Sequence, residues 1–194
     1  MKKAILGVVL VLVLVPLAFA AGDGAGGVGV FGSWWDSQDY GALYGGGVRF
    51  GGEIFSGLAL EARVSYLTSE TQDDVVEGRN VSTDLELVPL EAAVTWTLDV
   101  SDAIKPYVGA GAGYYLKNVD WKADDVIDEA DDKDSVGYFA LAGANIVLGR
   151  VVLFGEAKYN VVQNDDEWRW QGSDVEQKNS LDGFAANVGI KFAF

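Results

Sequence analysis

The chain has 194 residues, 29 acidic against 14 basic, a net charge of −15, and neither cysteine nor histidine. It therefore has no disulfide, no thiolate nucleophile, no imidazole base and none of the usual zinc or haem ligand sets. The acid excess argues against a nucleic-acid partner, whose phosphates are met by Lys and Arg. Glycine reaches 25 residues against 3 prolines, with many aromatics, so the chain has apolar surface to bury and does not read as disordered.

Residues 1–20 begin Met1-Lys2-Lys3, continue as an apolar run from Ala4 to Val15, break at Pro16 and close on Ala18-Phe19-Ala20. A basic start, a short apolar stretch and a small-x-small end predict a cleaved secretory signal peptide. The run is short for a membrane-spanning helix, which needs about 17–25 residues. Cleavage leaves residues 21–194 as a second region, at −17 once Lys2 and Lys3 are gone. The product is expected to leave the cytoplasm of a bacterium.

After residue 21 no helical apolar stripe is present, and period-two alternation takes over. Two Gly-rich candidates come first, near 25–35 and 40–50. Next, Leu58, Leu60, Ala62, Val64 and Tyr66 alternate with Glu61, Arg63 and Ser65. Val88, Leu90, Ala92, Val94, Trp96 and Leu98 then alternate with Glu91, Ala93, Thr95 and Thr97. Weaker candidates follow at 106–117 and 135–148. Leu153, Ala157, Tyr159 and Val161 alternate with Phe154, Glu156, Lys158 and Asn160, and a last alternating strand runs from Phe184 to Phe194. Each is about the 9–11 residues that a tilted bilayer-spanning strand needs.

The gaps alternate too. Residues 51–57, 99–104 and 149–150 are the shorter connections at one end. At the other end a tight 36–39 turn is joined by polar loops near 69–83, 118–134 and 163–180. The predicted fold is all-β: an eight-stranded antiparallel transmembrane β-barrel, up-and-down, with short periplasmic turns and longer extracellular loops. A soluble sandwich also alternates, but three features separate the cases. The polar rows are mostly Gly, Ala, Ser, Thr and Asn with sparse charge, and Gly109, Gly111 and Gly113 share one row, as a crowded lumen requires. Aromatics fall into two girdles: Tyr66, Tyr114, Tyr138, Tyr159 and Phe184 toward the long loops, with Phe50, Trp96, Tyr107, Phe192 and Phe194 toward the short turns. The last residue of the final alternating strand is Phe194.

Placing the apolar rows against lipid sends Arg49, Glu61, Arg63, Glu91, Glu156, Lys158 and Lys191 into the lumen. Four cations and three anions in so narrow a space are expected to pair, because an isolated ion there is costly. Eight strands leave an interior about filled by side chains. Pairing therefore predicts a plug, with a small gated conduit as the other reading.

The stretch Lys105-Pro106-Tyr107-Val108-Gly109-Ala110-Gly111-Ala112-Gly113-Tyr114, the strand Phe154-Gly155-Glu156-Ala157-Lys158-Tyr159 and the end Gly189-Ile190-Lys191-Phe192-Ala193-Phe194 resemble the small eight-stranded outer-membrane barrels of the OmpA, OmpX and opacity-porin type. The resemblance covers the whole region after the leader. It implies integral placement in the bacterial outer membrane among lipid and lipopolysaccharide. It also implies that the terminal aromatic strand with Phe194 is read by the barrel-assembly machinery. The periplasmic peptidoglycan-binding domain of full OmpA-type proteins is not expected here. Enzymes among small outer-membrane barrels, such as those acting on lipid A, are understood to use a His that this chain lacks, so no catalytic residue is assigned.

Residues 117–134 carry eight acids and three bases. Their spacing does not fit an EF-hand, so a solvated acidic loop is expected, with no metal site and no cofactor. Trp168 and Trp170, in Glu167-Trp168-Arg169-Trp170, point the same way on an extended strand. They are candidate recognition residues for an extracellular ligand or host surface, or else part of the outer girdle. The function expected is that of a structural and surface-interaction protein whose lumen is closed by paired charges. The alternative is a narrow, OmpW-like channel for small or apolar solutes.

Overall fold

A computed structural model describes residues 26–38, 40–69, 72–76, 79–123, 134–163, 168–170, 173–175 and 180–194. Residues 1–20, expected as the leader, and residues 124–133 of the acidic loop lie outside them.

The strands in chain order are β1 (Gly27–Ser37), β2 (Gly41–Phe55), β3 (Leu58–Ser69), β4 (Gln72–Val76), β5 (Arg79–Thr97), β6 (Ile104–Ala123), β7 (Ser135–Leu148), β8 (Val151–Gln163), β9 (Trp168–Trp170), β10 (Ser173–Val175) and β11 (Gly183–Ala193). Eight of them are staves. Each pairs antiparallel with its chain neighbour, β11 returns to β1, and β3 pairs with β5 across the short β4. The sheet closes on itself and leaves no stave edge unpaired. β4 pairs with the start of β5, and β9 with β10, as ribbons at the long-loop end.

Closure explains the alternation. On β8, Val152, Phe154, Glu156, Lys158 and Asn160 are buried inside, while Leu153, Tyr159 and Val161 are exposed outside. The outward row meets lipid, so exposure of Val30, Val94, Val108 and Val188 is the expected state of a membrane wall.

Two differences from the expected elements have physical causes. β5 begins at Arg79 and β6 runs to Ala123, well into the segments read as loops. Above the bilayer both faces of a ribbon meet water, so the alternation that marks a strand fades while the backbone pairing continues. At the other end β2 continues to Phe55 with a register shift between Glu53 and Phe55, and only Ser56 and Gly57 form the turn. Gly57 has a φ of 77° and Gly149, in the two-residue turn before β8, a φ of 69°. L side chains seldom adopt such values.

The inward glycines are seats for rings. A Cβ on Gly111 would lie 2.4 Å from Phe139 Cζ, and one on Gly143 2.6 Å from Tyr107 Cζ. Aromatic side chains from the facing strands fill the volume that these residues leave empty.

Candidate functional site: the barrel lumen

Three layers stack along the lumen. At the long-loop end Trp35, Leu43, Leu67, Leu85, Leu87 and Tyr115 form an apolar cluster, joined by Val162, Leu181 and Ala185. The Trp35 and Tyr115 rings meet edge to face at 5.6 Å. Sequence reading did not single out this plug. The available signal was parity, since Leu43 shares a row with Arg49, Leu67 with Arg63, and Leu85 and Leu87 with Glu91.

The middle layer holds the charges. Arg63 Nη1 and Nη2 donate to Glu156 Oε1 and Oε2 at 2.6 and 2.9 Å, and Nη2 also donates to Glu61 Oε2 at 2.8 Å. Arg49 hydrogen-bonds Glu61 and lies 3.7 Å from Glu156 Oε2. Around the eight staves β3 and β8 are four places apart, so the Arg63–Glu156 pair crosses the barrel's full width. Asn187 Nδ2 donates to Glu156 Oε1 at 3.0 Å. Nearer the apolar plug, Lys158 Nζ lies 2.5 Å from Glu91 Oε1, which also accepts the Tyr115 hydroxyl at 3.2 Å. The guanidinium of Arg49 sits 4.3 Å over the Phe154 ring and the Lys158 ammonium 4.9 Å over Phe139. These faces supply favourable field where water is excluded. All six of these charged side chains are buried.

Lys191, the seventh residue expected in this network, makes no ion pair among the described residues. It lies below the layer and lines a cavity of about 360 Å³ that opens at the short-turn end. Lys117 is a further inward cation that sequence reading missed.

Tyr107 requires a correction. It was expected in the short-turn girdle, but only 2% of its surface is exposed and its hydroxyl donates to Glu156 Oε2 at 3.0 Å. Its row settles its direction: it alternates in step with Gly109, Gly111 and Gly113, the same inward row. Phe50, expected in the same girdle, is also buried, whereas Tyr66, Trp96, Tyr114, Tyr138, Tyr159, Phe184, Phe192 and Phe194 are exposed on the outer face. Two of them hold carboxylates there: Tyr66 donates to Glu86 at 2.8 Å and Tyr114 to Asp134 at 2.7 Å. Tyr159 and Phe184 stack edge to face at 4.8 Å.

Trp168 and Trp170 lie on β9, opposite Val175 and Ser173. Their side chains lie outside the described residues. Among the described residues no cluster of three or more acidic side chains is placed to hold a metal ion.

Comparison with solved structures places the fold. The chain is similar to Neisserial surface protein A (18% identity, covering 88% of this chain and 97% of that one, TM-score 0.56). It is also similar to the outer membrane protein OprG from Pseudomonas aeruginosa (14%, 89% and 98%, TM-score 0.60). A third similar structure is Ail, the attachment invasion locus protein of Yersinia pestis, in complex with the heparin analogue sucrose octasulfate (10%, 89% and 100%, TM-score 0.57). No curated protein matches the chain in sequence. The profile of one family, the outer membrane protein beta-barrel domain, matches residues 6–192. With a closed barrel of eight staves, lipid-facing apolar rows and that match, the chain belongs to the outer membrane β-barrel family and is an integral protein of the outer membrane.

Proposed function

We propose that this barrel is a structural and surface-interaction protein whose lumen is closed, not a conduit. The observation that carries the reading is the Arg63–Glu156 pair, which joins opposite walls and is flanked by Arg49, Glu61, Tyr107 and Asn187. Desolvated pairs of this kind are costly to open one partner at a time. The apolar plug above them removes the second route that water would need. Glu61, Glu91 and Glu156 are each held by a cation, so none is left as an acid or base for catalysis.

The exposed surface then does the work. Outer-membrane lipid and lipopolysaccharide surround the wall, and the ribbons β4–β5 and β9–β10 lie at the end that faces outside. Ail was solved with a sulfated sugar analogue, but a net charge of −15 disfavours a polyanion here and favours a neutral or cationic surface. Trp168 and Trp170 are the anchors in this reading, and Phe194 is the assembly signal. Phe194→Ala is expected to slow barrel assembly in cells while the refolded protein keeps its heat-shifted gel mobility.

Planar-bilayer recording tests the closed lumen. The reading expects no stepwise conductance from the wild-type chain. A reproducible open state that Glu156→Ala alters would favour the narrow-channel alternative.

A further inference from the structure

The cavity at the periplasmic end is about 360 Å³, within the range of small-molecule sites, about 300–1,000 Å³. Arg49, Glu61 and Tyr107 close its inner end, and behind them Arg63 and Glu156 continue the ion-pair layer. Two of its three carboxylates are paired with cations, and the third, Glu53, acts on Lys105 and not on Lys191. Glu61 is shared by Arg49 and Arg63, Asp99 pairs with Lys105 at 2.9 Å, and Glu53 accepts the Gly57 amide at 3.0 Å.

Lys191 is different. It lines this cavity and the small recess beside it, and makes no ion pair or hydrogen bond with the described residues. The carboxylate whose field acts on it most is Glu61, already spent on two arginines. Its position is nevertheless built. A Cβ on Gly27 would lie 2.9 Å from its Cδ and Cγ, and one on Gly29 3.2 Å from its Cβ. Two glycines of β1 thus make a slot for its stem. A cation held in place, partly removed from water and given no protein counter-charge needs one from elsewhere. Around it the wall offers the hydrogen-bonding groups of Thr95, Thr97 and Asn145 and the apolar surfaces of Val147 and Val152.

We propose that this cavity binds a small aliphatic carboxylate from the periplasm, with its carboxylate on the Lys191 ammonium and its hydrocarbon portion against Val147 and Val152. The closed inner end makes it a binding site rather than an entrance, so occupancy does not depend on conduction.

The test is a titration of the full chain in lipid nanodiscs with sodium butyrate, followed by NMR at the Lys191 side chain and at the Thr95 and Asn145 amides. Sodium chloride and neutral butyramide at the same concentrations are the comparison probes. The expected result is a saturable shift with butyrate alone, weakened about tenfold or more in Lys191→Gln and retained in Lys191→Arg. Lys191 holds no partner in the ion-pair layer, so Lys191→Gln is expected to fold with its heat-shifted mobility intact. Equal shifts with chloride or with butyramide, no saturation, or undiminished binding in Lys191→Gln would each overturn the proposal. The chloride and butyramide arms decide it on the wild-type chain alone.

Discussion

At the long-loop end the lumen is filled by Trp35, Tyr115 and five leucines, whereas at the short-turn end it widens into a cavity around a cation with no partner among the described residues. The staves are the same on both levels, so the difference comes from what the inward rows carry. Where the rows carry large apolar side chains the interior packs dry. Where they carry Ala59, Thr95, Thr97 and Ala193 it stays open. Between the two, opposite charges reach across and meet. One end is therefore packed and the other open, with the ion-pair layer as the boundary.

The largest loss of stability is expected at that boundary. Glu156→Gln leaves Arg63 and Arg49 without their shared counter-charge and should cost about 3–5 kcal/mol in urea unfolding from lipid vesicles. A loss near zero would mean that the layer is hydrated and the boundary weak. In the packed end, Leu87→Ala should cost about 3 kcal/mol by opening a hole in a fully buried cluster. Tyr107→Phe removes one hydrogen bond to a charged acceptor and should cost about 2 kcal/mol. At the open rim, Lys105→Ala breaks an exposed pair with Asp99 and should cost under about 1 kcal/mol. A Lys105→Ala loss equal to that of Leu87→Ala would erase the contrast between the two ends.

Lipid on one side and a crowded lumen on the other impose period two on every stave, so the barrel was readable from sequence. The same parity placed Arg49, Glu61, Arg63, Glu91, Glu156 and Lys158 inside. Which of them touch was not readable, because Arg63 and Glu156 meet only through the closure of the whole ring. The leucine plug escaped notice because near the outer ends both rows are apolar, and Leu85 and Leu87 look no different from Val88 and Leu90. Tyr107 was assigned by residue type and nearness to a turn, when its row with Gly109 already pointed inward. The row with Glu156 and Lys158 places Asn160 inside, but does not tell that it has no exposed surface or that neither of its side-chain polar atoms is bonded to a described residue. Its isolation arises from the packing around it, which the row alone does not encode.

The absence of native cysteine allows the division of the lumen to be measured directly. Thr97→Cys places a thiol in the cavity, and Ala185→Cys places one in the plug. In barrels oriented in vesicles, a membrane-impermeant thiol reagent is expected to label Thr97→Cys from the short-turn side only. Ala185→Cys is expected to resist it from both sides until the protein is unfolded. Labelling of Ala185→Cys at a rate comparable to Thr97→Cys in the folded barrel would contradict a closed lumen.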